Sequence, residues 1–343
     1  MRKLLNTLYV TSPDIYLALE GETVLVLRNE ETVARLPLHN FEAIATFGYT
    51  GVSPALMGAC AKRNIGLCFL TQSGRFLARV VGESHGNVML RREQYRMSDS
   101  KDKSCLIAKN FILGKIYNAK WILERAARDH EMRLDVQRLK QVSAMLSQIL
   151  DLVNKCYDLE QLRGLEGNAA SLYFSVLDDL ILQQKEDFKF QERNKRPPRD
   201  NVNALLSFMY TILANECASA LETVGLDAYV GFLHRDRPGR ISLALDLMEE
   251  LRGVMVDRFV ITLINKREID AKGFIRRENG TVIMDDDTRK IVLKAWQERK
   301  KETITHPFLK EKVEWGLVPF VQSMLLARYL RGDLDGYPPF LWK

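Results

Sequence analysis

The feature that most limits what this chain can fold into is a change of hydrophobic period near residue 100. Before it, short β-rich runs recur: LLNTLYV, IYLALE, TVLVLRN, TVARLPL, FEAIATF, IGLCFLT and RFLARVV. Turn signals separate them, among them Glu20-Gly21-Glu22, Asn29-Glu30-Glu31 and Gln72-Ser73-Gly74-Arg75. A single helical pattern interrupts the series at residues 54–64, with Ser53 as cap and Pro54 at the first helical position. From Cys105 onward apolar residues repeat at helical spacing, over 104–128, 131–156 and 158–184. Segregated strands and helices predict an α+β chain. Residues 1–97 read as a β-rich, sandwich-like domain suited to assembly or docking, 98–104 as a polar linker, and 105–343 as a larger all-α domain.

At 343 residues the chain can support two cores. Residues 183–200 are rich in charge and end near Pro197-Pro198, so a loop is expected there. Helical pattern resumes at NALLSFMYTILANECASALETVG and stops at Gly225. Farther on, Asn279-Gly280 marks a hairpin turn, Asp287-Thr288 reads as the cap of a helix running to Lys301, and a last helix is expected at 308–331. No apolar run approaches the ~18 residues of a membrane span, and the N-terminal stretch has no signal-peptide pattern. A cytoplasmic protein without membrane contact is expected. The five cysteines form no CxxC pair, which argues against a disulfide framework or a zinc site.

The net charge of +6 is modest, but its distribution is uneven. Arg193, Lys195, Arg196 and Arg199 crowd into RNKRPPR, while Arg235, Arg237 and Arg240 flank a tight Pro-Gly turn. Both runs concentrate phosphate-attracting potential, and both also suit a solvated loop.

The chemistry-bearing stretch is GFLHRDRPGRISLALDLMEELR, residues 231–252. On a helix over 241–259, Asp246, Glu249 and Glu250 occupy a wedge in an otherwise apolar circumference, so the acids face a cavity or a narrow solvent strip. Asp246 and Glu249 are three residues apart, which places their Cβ atoms ~5–6 Å from each other. Their repulsion calls for a shared proton, a basic partner or a hard divalent cation; a solvated acidic strip near the helix start is the alternative. His234 stands ahead of the turn and can fold back as a metal ligand or proton carrier. A third acid, Glu166, lies in LRGLEGNAASLYF between Gly164 and Gly167. Glycines within a helix cost roughly 1 kcal/mol each, so this pair needs a packing or functional reason.

Leu162 to Gly167, Asn203 to Ser207, His234, and Gly239 to Glu249 together resemble CRISPR-associated protein one, with the nearest likeness to its type I-C branch. The resemblance covers essentially the whole chain. It implies an integrase and endonuclease of spacer acquisition, which joins the 3′-hydroxyl ends of captured DNA fragments to the CRISPR repeat by transesterification. It implies that Glu166, His234 and Asp246, with Glu249 as an additional acid, form a catalytic site binding Mg²⁺ or Mn²⁺. It further implies a homodimer, a small second CRISPR-associated protein as partner, and the iron–sulfur CRISPR exonuclease of the same locus. The same residues would also suit a general metal-dependent nuclease acting on branched DNA.

Overall fold

Residues 5–83, 88–194 and 197–343 are described here from a computed structural model of the chain. The β-rich part contains β1 (Asn6–Val10), β2 (Ile15–Glu20), β3 (Thr23–Arg28), β4 (Glu31–Pro37), β5 (Phe41–Phe47), β6 (Gly51–Val52), α1 (Pro54–Lys62), β7 (Gly66–Leu70) and β8 (Phe76–Val80). These strands form two four-stranded sheets, ordered β1-β5-β7-β8 and β4-β3-β2-β6. The predicted turns are where the chain reverses: Asn29 and Glu30 both have positive φ, the signature of a tight hairpin turn. Ser53 caps α1 by accepting the Leu56 N–H at 3.2 Å.

The strand period of two sorts the first sheet's side chains between two cores. Ile44 and Leu67 face the second sheet and α1, where they join Leu17, Val24 and Leu56. Their neighbours Ala45, Phe47 and Leu70 point the other way, into the helical core. β5 and β7, central and paired in parallel, are therefore covered on both faces. The interface is held by Lys300, whose ammonium donates to Thr7 Oγ1, Glu42 Oε1 and Glu216 Oε1 at 3.1, 3.1 and 3.0 Å.

The mostly helical part comprises α2 (Val88–Asp99), α3 (Lys101–Asp129), α4 (Val136–Asn154), α5 (Leu159–Phe174), α6 (Asn201–Thr223), α7 (Ser242–Arg252), α8 (Arg258–Asn265), α9 (Asp286–Lys301) and α10 (Val318–Leu330). Two short ribbons interrupt it, β9 (Phe274–Arg276) with β10 (Val282–Met284) and β11 (Thr303–Thr305) with β12 (Lys312–Glu314), so it is not wholly helical. The first is the Asn279-Gly280 hairpin; the second occupies part of the segment expected to start the last helix.

Other boundaries also moved. Residues 98–104 are helical apart from Ser100, which caps α3 by accepting the Lys103 N–H at 3.4 Å. A single polar cap residue is enough to turn the chain between α2 and α3. The helix expected to reach residue 184 ends at Phe174, and Asp178 then accepts the Phe190 N–H at 2.6 Å, drawing the loop back. Asp285, not Asp287, caps α9. The helix expected over 241–259 contains a π-helical turn at Gly253–Asp257 that separates α7 from α8. By length and composition α6 could cross a membrane, but 72% of its most apolar window is buried in the core.

Candidate active site

The site is assembled where α3, α5 and α7 meet. Gly114 lets α3 approach α7 closely, since a Cβ there would lie 2.7 Å from Glu250 Cβ. This close packing brings the next residue, Lys115, against Glu249 of α7. Its ammonium pairs with Glu166 of α5 and lies 2.7 Å from Glu249 Oε2. Arg252, one turn beyond Glu249, pairs with the other oxygen, Oε1. Burial alone would raise the Glu249 carboxyl, but Arg252, Lys115 and His234 outweigh it and hold the group down at about 2.

His234 is positioned by a small scaffold folded around Asp246. Asp246 is fully buried. Its Oδ2 accepts the Phe232 and Leu233 N–H groups at 2.6 and 3.0 Å, and Oδ1 accepts the His234 N–H at 3.0 Å. His234 Nδ1 lies 2.5 Å from the same Oδ1. A carboxylate accepts from its neighbours, so the ring proton belongs on Nδ1 and Nε2 keeps the lone pair that a ligand needs. Gly231 is required for this wrap, because a Cβ there would lie 2.8 Å from Asp246 Oδ2 and 2.9 Å from Ser242. Gln94 of α2 clamps the incoming segment by donating to the Asp227 and Val230 carbonyls, both at 2.8 Å. Arg163 of α5 holds the outgoing one through the Leu233 carbonyl, with Nε at 2.9 Å.

The structure places Asp246, expected among the metal ligands, behind the histidine as its positioning group. Each of its oxygens accepts from two donors, all four on residues 232–234 of the histidine loop. Glu166 and Glu249 do share a focus, with Lys115 between them. As placed, no three His, Cys, Asp or Glu side chains among the described residues converge tightly enough to ligate one ion. The donor chemistry nevertheless fits a hard divalent cation: two carboxylates and an imidazole Nε2. Glu249 Oε2 is also buried and receives no well-directed hydrogen bond, despite its ion pair with Lys115. Beside it a narrow crevice of about 20 Å³ runs between α3, α5 and the π-helical turn, lined by Lys115, Ala169, Ala170, Tyr173, Arg252 and Asp257.

A profile of the family described as "CRISPR associated protein Cas1" matches residues 8–298. The chain belongs to the Cas1 family. It is 48% identical over 343 residues to "CRISPR-associated endonuclease Cas1 1" of Chlorobaculum tepidum, with all of both chains covered. It is 50% identical over 347 residues to "CRISPR-associated endonuclease Cas1 2" of Rhodospirillum rubrum, again with both chains fully covered. A "CRISPR-associated exonuclease Cas4/endonuclease Cas1 fusion" of Geobacter sulfurreducens is 34% identical, aligned over 97% of this chain and 60% of its own length. Among solved structures, a "Casposase bound to integration product" shares the fold at a TM-score of 0.82 and 24% identity, covering 98% of this chain and 93% of that one. A "Cas6-RT-Cas1--Cas2 complex" chain does so at 0.82 and 22%, covering 100% of this chain and 36% of that one.

The remaining Cas1-like site expectations divide. Arg193 is turned inward, its guanidinium donating to Asn203 Oδ1 at 2.6 Å and Ser207 Oγ at 3.0 Å, so it fastens the loop to α6 and is not a free phosphate ligand. Lys195 and Arg196 lie outside the described residues. Arg199, Arg235 and Arg237 are exposed, and Arg235 pairs with Glu160 at 2.8 Å. Arg240 is partly buried just after the turn. Gly164 and Gly167 have nothing within 4 Å of where a Cβ would stand, so no internal packing explains them. Lys115 and Arg252 were not anticipated. The one available signal was Gly114-Lys115 inside a long helical pattern, because an interior glycine marks a close approach.

Proposed function

We propose that this chain is a divalent-metal-dependent DNA integrase and endonuclease of CRISPR spacer acquisition, in the type I-C branch of its family. The observation that carries the reading is the pairing of Glu166 and Glu249 with one cation, Lys115, within electrostatic reach of the Asp246-oriented His234. Glu166, His234 Nε2 and Glu249 would hold Mg²⁺ or Mn²⁺, and Asp246 is the positioning residue behind the histidine. When bound, such an ion polarises a phosphodiester and stabilises its leaving oxygen.

The chain's own groups supply the rest. The Asp246 carboxylate fixes the imidazole tautomer and aims Nε2. Lys115 and Arg252, held at the same focus, offset charge that builds on the phosphate as the 3′-hydroxyl of a DNA fragment attacks. The bare helix face at Gly164 and Gly167 lets a DNA backbone approach Glu166 without meeting a side chain. Arg199, Arg235, Arg237 and Arg240 are the remaining DNA contacts in this reading. Its partners are DNA, a second copy of the chain paired through the β-rich part, and the small Cas2 protein that the Cas1-containing complex above names. The iron–sulfur exonuclease is a further partner, motivated by the Cas4/Cas1 fusion. The cytoplasm is the expected compartment.

The test is joining of a labelled DNA fragment to a repeat-bearing plasmid in Mn²⁺, compared with His234→Ala. Joining by the wild-type chain and its loss in the variant support the reading. Cleavage of branched DNA with no joining would replace it with a general nuclease, and absence of Mn²⁺ binding by calorimetry would remove the metal.

A further inference from the structure

Two tracks lead away from the candidate metal focus side by side. On α3, Lys115 is followed ten residues later by Arg125, about 15 Å along the helix axis. On the adjoining track, Glu249 and Arg252 are followed across the π-helical turn by Arg258. The tracks pack directly on each other, since a Cβ on Gly253 would lie 3.1 Å from Ile122 Cδ1. Both end at the same tryptophan. The Arg125 guanidinium carbon lies 3.8 Å from the Trp342 ring centroid, and that of Arg258 lies 4.2 Å from it.

Neither arginine forms an ion pair among the described residues. The nearest acids are already taken, Asp129 by Arg128 at 2.8 Å and Glu302 by Arg299. More cations crowd in. Lys343 Nζ stands 4.7 Å and Lys120 Nζ 5.9 Å from the ring centroid of Trp121, whose buried Nε1 has no hydrogen-bond partner. Burial first, then Arg299 and Arg125, push the Arg258 guanidinium down to about 10. Stacking on tryptophan occupies a guanidinium face and leaves its N–H edge for an acceptor. Arg125 and Arg258 are partly buried, repel each other and have no ion pair of their own among the described residues, which suits them to an external anion. Interleaved aromatics and cations are also the usual composition of a nucleic-acid surface.

We propose that Arg125 and Arg258, stacked on Trp342, form a docking site for DNA backbone phosphates separate from the metal focus. A strand running from that focus to this site would pass about four or five nucleotides, at 3.4 Å per nucleotide. The site therefore holds the flank of a DNA whose reacting phosphate lies at Glu166 and Glu249. This inference rests on the reading of the chain as a DNA-joining enzyme.

The experiment measures anisotropy of a fluorescent DNA duplex across a salt series in EDTA, with the full chain and an Arg125→Gln/Arg258→Gln double variant. Glutamine keeps a planar group against Trp342 while removing the charge. The expected result is about tenfold weaker binding at physiological salt and a salt slope smaller by about 1–2, with Mn²⁺ affinity unchanged. Arg125→Lys/Arg258→Lys should recover most of the slope. Unchanged affinity and slope in the glutamine variant, with only a lowered melting temperature, would overturn the inference and leave the arginines as fasteners of the tail. A wild-type chain that binds no duplex would overturn both this inference and the DNA reading. Wild-type binding with an unaltered variant would overturn this inference alone.

Discussion

Glu249 and Glu250 are neighbours on α7, both buried, and they face two regions built on different principles. Glu249 opens toward the crevice between α3 and α5, where its partners Lys115 and Arg252 are cations. Glu250, turned by about 100°, faces the tail and meets only neutral donors. The Tyr337 hydroxyl and the Gln322 amide, the latter at 3.0 Å, donate to Oε1, and the Phe340 N–H donates to Oε2 at 2.7 Å. Burial therefore raises Glu250 to about 7, with the three hydrogen bonds countering only part of it. In Glu249 the cations overcome the same burial and hold the group at about 2. The difference teaches that burial alone does not decide what an acid does. Charged partners keep it ionised and able to hold a cation, while neutral donors in a dry pocket turn it into a pH-sensitive anchor.

The comparison is tested most sharply by Glu249→Gln against Glu250→Gln. Loss of Glu249, a ligand of the proposed metal, should lower DNA cleavage by about 1,000-fold, several kcal/mol of transition-state stabilisation. Glu250→Gln should leave cleavage within a few-fold of wild type. Cleavage rates in Mn²⁺ at matched folded fractions check this, and equal losses in both variants would dissolve the division.

Next in size is a pH effect on stability. The Glu250 carboxyl is raised from 4.5 to about 7, so the folded chain keeps a proton that the unfolded chain releases between those values. Its contribution is fully present below pH 4.5 and is lost as pH rises through about 7, a fall of about 3 kcal/mol. Glu249 has the opposite sign: its contribution is present above 4.5 and is lost as pH falls toward about 2. Urea unfolding from pH 4 to 8 should show the decline in wild type and a flattened profile in Glu250→Gln.

The smallest expected effect concerns the cation already at the focus. Lys115→Met removes a charge that competes with a metal for Glu166 and Glu249, and Mn²⁺ should bind about tenfold more tightly, a modest share of the Coulomb energy at such distances. Calorimetry reads this directly. Weaker Mn²⁺ binding would make Lys115 a support for the carboxylates and not their competitor.

The strand runs, their turns and the change to helical period were readable because each depends on neighbours a few residues apart. Glu166, His234 and Glu249, the ligands proposed above, stand in local motifs that draw attention from the sequence alone. Asp246 was harder. Its spacing from Glu249 places both on one side of α7, but its four donors come from residues 232–234, which return across a turn whose path the spacing does not specify. Arg193 shows the same limit, since its charge run looked solvent-facing and its side chain points inward to Asn203 and Ser207.

The sequence by itself determined the β-rich front, the helical remainder and the residue types gathered near the end of α7. Only the tertiary structure decided which acid meets which partner. Helical geometry sets the angle between Glu249 and Glu250. It carries no information on Lys115, which precedes them by more than a hundred residues, or on Tyr337, which follows by nearly as many. Those partners arrive through the packing of Gly114 on α7 and the return of the tail. Two adjacent carboxylates thereby acquire opposite electrostatic environments.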